Sequence, residues 1–254
     1  MLTREDIDAS VSPSDVAPLN FTPEAMSDDA IALLGFQRTK QISPQSRKSW
    51  IAGNPVPLRQ EARARRGDIF TGTLTEIYAE YLPLRAYLDK HKIKPKSVID
   101  IGCGQALPDL FLHHDFKPRF TLIDIEQTDD QYHAWADSGS GYASLDQAAA
   151  LLRGNGVAKT KVKTVNPVKA PTLMTGLKAD LLISFYSCGF HYPVDDYADV
   201  MIDTLKTGGT VCLDLRKRYL RRGSDALSRV LEAAERTDLF EDPRSFRVAL
   251  RGAA

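Results

Sequence analysis

The sequence predicts a doubly wound α/β fold, a Rossmann-like and mostly parallel sheet preceded by a helical or irregular N-terminal extension. Three observations carry this. From residue 97 onward, short apolar runs alternate with stretches of helical periodicity, the rhythm of a parallel sheet covered on both faces. A glycine turn, Gly102-Cys103-Gly104, directly follows the first apolar run. An acid, Asp124, closes the second.

Residues 1–66 read as an irregular arm, and residues 67–254 as the α/β domain. Residues 1–30 hold seven acids against Arg4, whereas residues 36–66 hold eight bases against Glu61. Mutual pairing of these blocks is one reading, and a cap that guides an anionic substrate is the other. Six prolines break the arm, which leaves room for one or two short helices such as Pro23–Leu34. Leu74, Ile77, Tyr78 and Tyr81 then mark one face of a helix that starts near Asp68. Pro83 either kinks it or begins a second helix with Leu84, Tyr87 and Leu88 on the buried side.

The alternating part follows. Ser97–Ile101 is a strand, and Leu107–His113 a helix with Pro108 in its first turn. Phe120–Ile125 is the second strand. Ser144–Arg153 is a helix opened by the capping box Ser144-x-x-Gln147 and stopped at Gly154 or Gly156. Lys161–Val165 and Asp180–Phe185 are the third and fourth strands. Val194, Tyr197, Val200, Met201 and Leu205 mark a helix ended by Gly208-Gly209. Thr210–Leu215 is the fifth strand, Ser224–Ala234 a helix and Phe246–Leu250 a last strand.

Composition narrows the function classes. The chain has 254 residues, 43% hydrophobic and 26% charged, with Lys+Arg and Asp+Glu both 33. No chain-wide field recruits nucleic acid or anionic lipid, so such contacts require local patches. The uncharged run Leu181–Val194 is too short to span a bilayer. The start, MLTREDIDAS, carries three acids and does not read as a signal peptide. Three cysteines fit neither a disulfide scaffold nor a zinc pattern, and no cluster has metal-ligand spacing. The expectation is a soluble, reduced, cytoplasmic protein without a catalytic metal.

The chemistry concentrates in Val98-Ile99-Asp100-Ile101-Gly102-Cys103-Gly104-Gln105-Ala106. Glycines after a buried strand let the backbone turn tightly and a ligand approach it, with the N–H groups of the next helix aimed at that ligand. Asp124, 20 residues beyond Gly104, is placed to accept both hydrogen bonds of a ribose diol. Together they indicate an adenosine-type cofactor. The dinucleotide fingerprint fails, since its last small residue is Leu107 here. Asp100 would repel a pyrophosphate and suit a cation, such as a sulfonium with an ammonium group.

This stretch resembles the first motif of the class I S-adenosylmethionine-dependent methyltransferases, apolar-apolar-Asp-apolar-Gly-x-Gly-x-Gly, with Ala106 at the third glycine. The resemblance covers about residues 96–216. It implies S-adenosyl-L-methionine as cofactor, with Gly102, Cys103, Gly104 and Gln105 along its methionine part and Asp100 just below. It also implies Asp124 on the ribose, Ile125 against the adenine, Asn166 at the adenine amino group, and Ser184 and Phe185 beside the transferred methyl. Two stretches, Tyr132–Trp135 with Tyr142–Gln147 and Ser184–Pro193, look similar to sugar O-methyltransferases encoded with bacterial surface-polysaccharide enzymes. The acceptor expected from that likeness is a sugar or another small hydroxyl compound.

An acceptor hydroxyl benefits from a base. His191, just past the fourth strand, is the candidate; a loop-shaping histidine is the alternative. His133 follows the second strand, near the expected adenine. Tyr186 and Tyr192 are placed to stack on a sugar ring, or to pack in the core. Arg216 and Arg218 lead a basic cluster expected at the rim of the ligand face, where arginine would grip the phosphate of a nucleotide-sugar. A non-catalytic protein of the same fold and an RNA methyltransferase are the alternatives; a dehydrogenase is disfavoured by Leu107 and Asp100.

Overall fold

The computed structural model describes residues 2–126 and 143–252. Strand β1 (Leu2–Thr3) leads into five helices, α1 (Arg4–Ala9), α2 (Pro13–Val16), α3 (Asp28–Gln37), α4 (Pro44–Ile51) and α5 (Val56–Ala64). The expected irregular arm is therefore helical over most of its length. Its prolines do not break these helices, because Pro13 and Pro44 occupy first-turn positions where the missing N–H has no intrahelical partner anyway. Ser27 and Ser43 cap α3 and α4 by accepting from the N–H of Ala30 and Ser46. The two charge blocks pair with each other: Arg59 with Asp29, Arg63 and Arg66 with Asp28, and Lys40 with Asp8.

Helix α6 (Arg66–Lys90) is continuous, with Pro83 inside it. The proline neither ends the helix nor starts a new one. Tyr81, Leu84, Tyr87 and Leu88 on either side of it are buried, and their burial holds the helix across the lost hydrogen bond.

The sheet is built from β2 (Ser97–Ile101), β3 (Arg119–Ile123), β4 (Val162–Val165), β5 (Leu181–Ser184), β6 (Thr210–Arg216), β7 (Ala234–Glu241) and β8 (Ser245–Gly252). With β1 its order is β1-β7-β8-β6-β5-β2-β3-β4. Only β8 runs antiparallel to its neighbours β6 and β7. The crossing helices are α7 (Leu107–Phe116), α8 (Leu145–Gly154), α9 (Ala198–Lys206), α10 (Lys217–Arg222) and α11 (Asp225–Glu232). This is a Rossmann-like α/β fold.

Alternate residues of each strand enter two separate cores. Val98, Phe120, Leu122, Leu181 and Ile183 pack with α3, α5, α6, α7 and α8. Ile99, Ile101, Leu182, Val211 and Leu213 pack with α9 and α11. Helices α3 and α5 thus share the main core with the sheet, and the N-terminal segment is part of the packed body.

Three local expectations are corrected. Helix α11 ends at Glu232, and residues 234–241 form β7, which pairs antiparallel with β8. Only Phe240 is buried along β7, so its sequence lacks the alternation of a half-buried strand. Ser144 caps α8 through the N–H of Asp146, but the Gln147 amide oxygen accepts from Ser27 N–H and ties α8 to α3. Strand β3 stops at Ile123, which leaves Asp124 in the loop beyond it.

Candidate functional site

The chain lays down β2, β3 and β4 in one direction, then returns to place β5 on the other side of β2. At such a reversal the strand ends diverge, and a crevice opens beyond their carboxyl ends. A cavity of about 690 Å³ lies there, within the usual range of roughly 300–1,000 Å³ for small-molecule sites. Its walls come from the loops after β2, β3 and β5, with α3 and α6 supplying the side facing the N-terminal segment.

Gly102 makes the first turn. Its φ is +68°, and a Cβ there would lie 1.8 Å from Ser187 Oγ, so only glycine lets the β2 and β5 loops approach this closely. Ala106, in place of the third glycine, takes the left-handed conformation at φ +57° as the cap of α7. Gln105 turns its amide back to Ala30 O of α3, at 2.8 Å. Its Oε1 is buried at the cavity wall without a hydrogen-bond partner among the described residues.

Asp124 lines the cavity. It accepts from Gly104 N–H at 3.0 Å and Glu126 N–H at 3.2 Å, which locks the glycine loop to the end of β3. Burial raises its carboxyl to about 6 despite these donors, so it is largely ionised at neutral pH. Ile125 and Cys103 also line the cavity.

Asp100, Asn166 and Ser184 do not line it. Asp100 is buried under the loop against Asp109 of α7, an acid the sequence reading did not single out. Burial and the second carboxyl push the Asp100 proton affinity well up, and the pair shares a proton. Both effects disfavour a negative charge on this side chain. Asn166 donates to Ile125 O and Glu126 Oε2 and accepts from the N–H groups of Val168 and Lys169. Its amide is spent on the turn after β4. Ser184 donates to Ile101 O at 2.7 Å and accepts from Cys188 N–H at 2.9 Å, which fixes the β5 loop.

Phe185, Tyr186, His191 and Tyr192 all line the cavity. Behind them is a buried ion pair. Arg247 of β8 donates bidentately to Asp214 of β6 at 2.8 and 2.6 Å, and neither residue is more than 1% exposed. Its third donor reaches Glu80 O of α6. Asp214 also accepts from Tyr186 N–H at 3.0 Å, while the guanidinium lies 3.7 Å from the Phe185 ring centroid. One buried arginine therefore fixes two cavity residues.

Burial, and next the charges of Arg216 and Arg218, push the His191 imidazole down to about 4. It is neutral at pH 7. The two arginines, expected at the rim, do not line the cavity. Arg216 lies over the Phe190 ring at 4.3 Å and Arg218 over Tyr219 at 5.3 Å. Aromatic faces pack against both guanidinium groups.

The wall from α3 and α6 was not legible in the sequence. It brings Gln37, Arg38, Thr73, Ile77 and Glu80 to the cavity. Arg38 pairs bidentately with Glu80 at 2.5 and 2.9 Å. Thr73 is fully buried, and its hydroxyl has no hydrogen-bond partner among the described residues. Helical spacing marks Thr73 and Glu80 only as residues near an apolar stripe. Tyr132, His133, Trp135 and Tyr142 lie outside the described residues. Among the described residues no group of three or more His, Cys, Asp or Glu could hold a metal ion, and no helix is long and apolar enough to cross a membrane.

No protein-family profile matches the chain, and no curated protein does. Solved structures do. The chain is similar to a ribosomal protein L11 methylase from Lactobacillus delbrueckii subsp. bulgaricus, with 15% identity, TM-score 0.46, and 68% of this chain and 78% of that one covered. It is similar to an O-methyltransferase family protein from Burkholderia thailandensis, with 12% identity, TM-score 0.44, and coverage of 77% and 63%. A methyltransferase from Pyrococcus furiosus gives 14% identity, TM-score 0.38, and coverage of 67% and 83%.

Proposed function

We propose that the protein is an S-adenosylmethionine-dependent methyltransferase acting on a small, hydroxyl-bearing acceptor, with a sugar as the class to try first. The observation that carries this reading is the pairing of the Gly102–Gln105 loop with Asp124 on one cavity wall. The residues present fit the cofactor. A Cβ on Gly104 would meet nothing within 4 Å, so that backbone is open to a ligand. Gln105 Oε1 is a buried acceptor in want of a donor, which the ammonium group of the cofactor would provide. Asp124 would hold the ribose hydroxyls, and Ile125 with Val168 would flank the adenine.

When bound, the cofactor supplies an activated methyl group on a sulfonium. The protein's part is to orient the acceptor and exclude water. Phe185, Tyr186 and Tyr192 offer ring faces to a sugar, and the Thr73 hydroxyl offers both a donor and an acceptor. His191 is unprotonated at neutral pH and takes the acceptor proton at its free ring nitrogen. Its low affinity for that proton means transfer must accompany bond formation rather than precede it. An uncharged sugar is favoured over a nucleotide-sugar, because Arg216 and Arg218 lie against rings outside the cavity lining.

Thermal shift with S-adenosylmethionine and S-adenosylhomocysteine, against NAD, tests the reading in wild type and Asp124→Ala. At a hundred times Kd a ligand adds about 2.7 kcal/mol, roughly 5–10 °C for a chain of this length. The expected result is a rise with both sulfur compounds, lost in the variant. A rise with NAD alone, or no rise at saturating ligand, overturns it.

A further inference from the structure

Residues 147–179 contain six Lys or Arg and no acid. The fold gathers three of these, with four more from other turns, at the amino ends of the strands, opposite the cavity. Lys94 and Lys96 precede β2, and Lys117 and Arg119 enter β3. Lys161 and Lys163 lie at the start of β4, and Lys178 precedes β5. Register and hydrogen bonds place these groups side by side. Arg119 is opposite Ser97, and Lys163 opposite Thr121. Arg119 N–H donates to Lys96 O at 2.9 Å, and Lys161 Nζ to Lys117 O at 2.9 Å. A shallow groove of about 230 Å³ runs between Arg119, Lys161, Lys163 and Lys178.

The exposure has a topological cause. The chain passes from β4 to β5 through a short 3₁₀ turn, Pro171–Met174, with no crossover helix. Among the described residues no helix therefore covers the face of β3 and β4 that bears Thr121 and Lys163. All seven cations are exposed except Lys161, which is partly so. Among the described residues none is ion-paired with a carboxylate. Asp180, the acid beside them, has one oxygen occupied by Lys96 N–H, Ser97 N–H and the Ser97 hydroxyl. Lysine on an edge strand discourages edge-to-edge pairing, which accounts for Lys163 on β4. It does not account for the cations in the turns before β2, β3 and β5.

We propose that this end of the sheet docks on an anionic lipid surface. Six of the seven cations are lysines, compact charges on long stems that answer a diffuse negative field. Nucleic-acid readers add arginine forks and exposed aromatic platforms. The aromatic rings of these turns, Phe116 and Phe120, are half-buried and buried. Docking by this end leaves the mouth of the cavity turned to water, so binding and catalysis do not compete for one surface.

The test is sedimentation of the full chain with phosphatidylcholine vesicles, with and without 30% phosphatidylserine, at low and high salt. Wild type should bind the anionic vesicles at low salt, release at high salt and ignore the neutral ones. Each cation near the surface is worth about fivefold in partition, so Lys94→Gln/Lys163→Gln/Lys178→Gln should lower binding on the order of 100-fold. Its melting temperature and its thermal shift with S-adenosylmethionine should match wild type. Failure of wild type to bind anionic vesicles at low salt overturns the proposal, as does a triple variant that binds like wild type. Retention of a 30-nucleotide RNA with no retention of vesicles overturns it in favour of a nucleic-acid surface.

Discussion

Asp109→Asn should stabilise the protein at pH 8 and leave it unchanged at pH 4. Asp100 and Asp109 are both buried beneath the glycine loop, where the Asp109 carboxyl meets that of Asp100 and its own backbone N–H. Burial is the main reason that the Asp109 carboxyl is held at about 7, against an ordinary value of 3.8. The unfolded chain gives up this proton near pH 4, whereas the folded chain keeps it to pH 7. Between those values the native state binds more protons, so stability falls as pH rises. Each unit is worth 1.36 kcal/mol, so three units set an upper figure of about 4 kcal/mol. Asparagine keeps the shape and a hydrogen bond to Asp100 without the ionisation. The expected gain at pH 8 is about 2–4 kcal/mol, roughly 4–16 °C in Tm for a chain of this size. Thermal denaturation of wild type and variant from pH 4 to 8 reads it directly. A difference in Tm that does not grow with pH would refute the shared-proton account.

Gly102→Ala should cost more than 3 kcal/mol, or abolish folding, because its Cβ would overlap Ser187 Oγ and its φ is +68°; urea denaturation reads the loss. Thr73→Val should leave the ligand-free protein equally or more stable, since it removes an unpartnered buried hydroxyl. With the acceptor it should raise KM by roughly tenfold, measured by steady-state kinetics. His191→Ala should leave cofactor affinity within about twofold by calorimetry and lower kcat on the order of 10²-fold. Full turnover in that variant would reassign the proton acceptor.

The alternation of strands and helices from residue 97 was legible because each strand is an apolar run of a few residues bounded by turns. The glycine loop was legible too, since a left-handed turn against another backbone leaves little choice of residue. Asp124 could be read because the distance from a glycine loop to the end of the next strand is set by one crossover unit. Strand β7 could not, because only Phe240 is buried and the alternation that marks a strand is absent. The N-terminal helices were obscured by prolines that turn out to occupy first turns.

The order of elements, the turn at Gly102 and the acid that faces it follow from local sequence, since these depend on neighbours a few residues apart or on one crossover. Tertiary structure alone decided which side chains reach the cavity. Arg38, Thr73 and Glu80 arrive from helices that precede the sheet, and Arg247, from its antiparallel strand, braces the residues of the opposite wall from behind. Asn166 and Ser184, in register with the site along the chain, turn inward because backbone groups nearby need their hydrogen bonds. Arg216 and Arg218 settle on aromatic faces rather than at the cavity. A residue's type and position along one strand do not say which of several competing partners its side chain meets; that is settled by packing between segments distant in the chain.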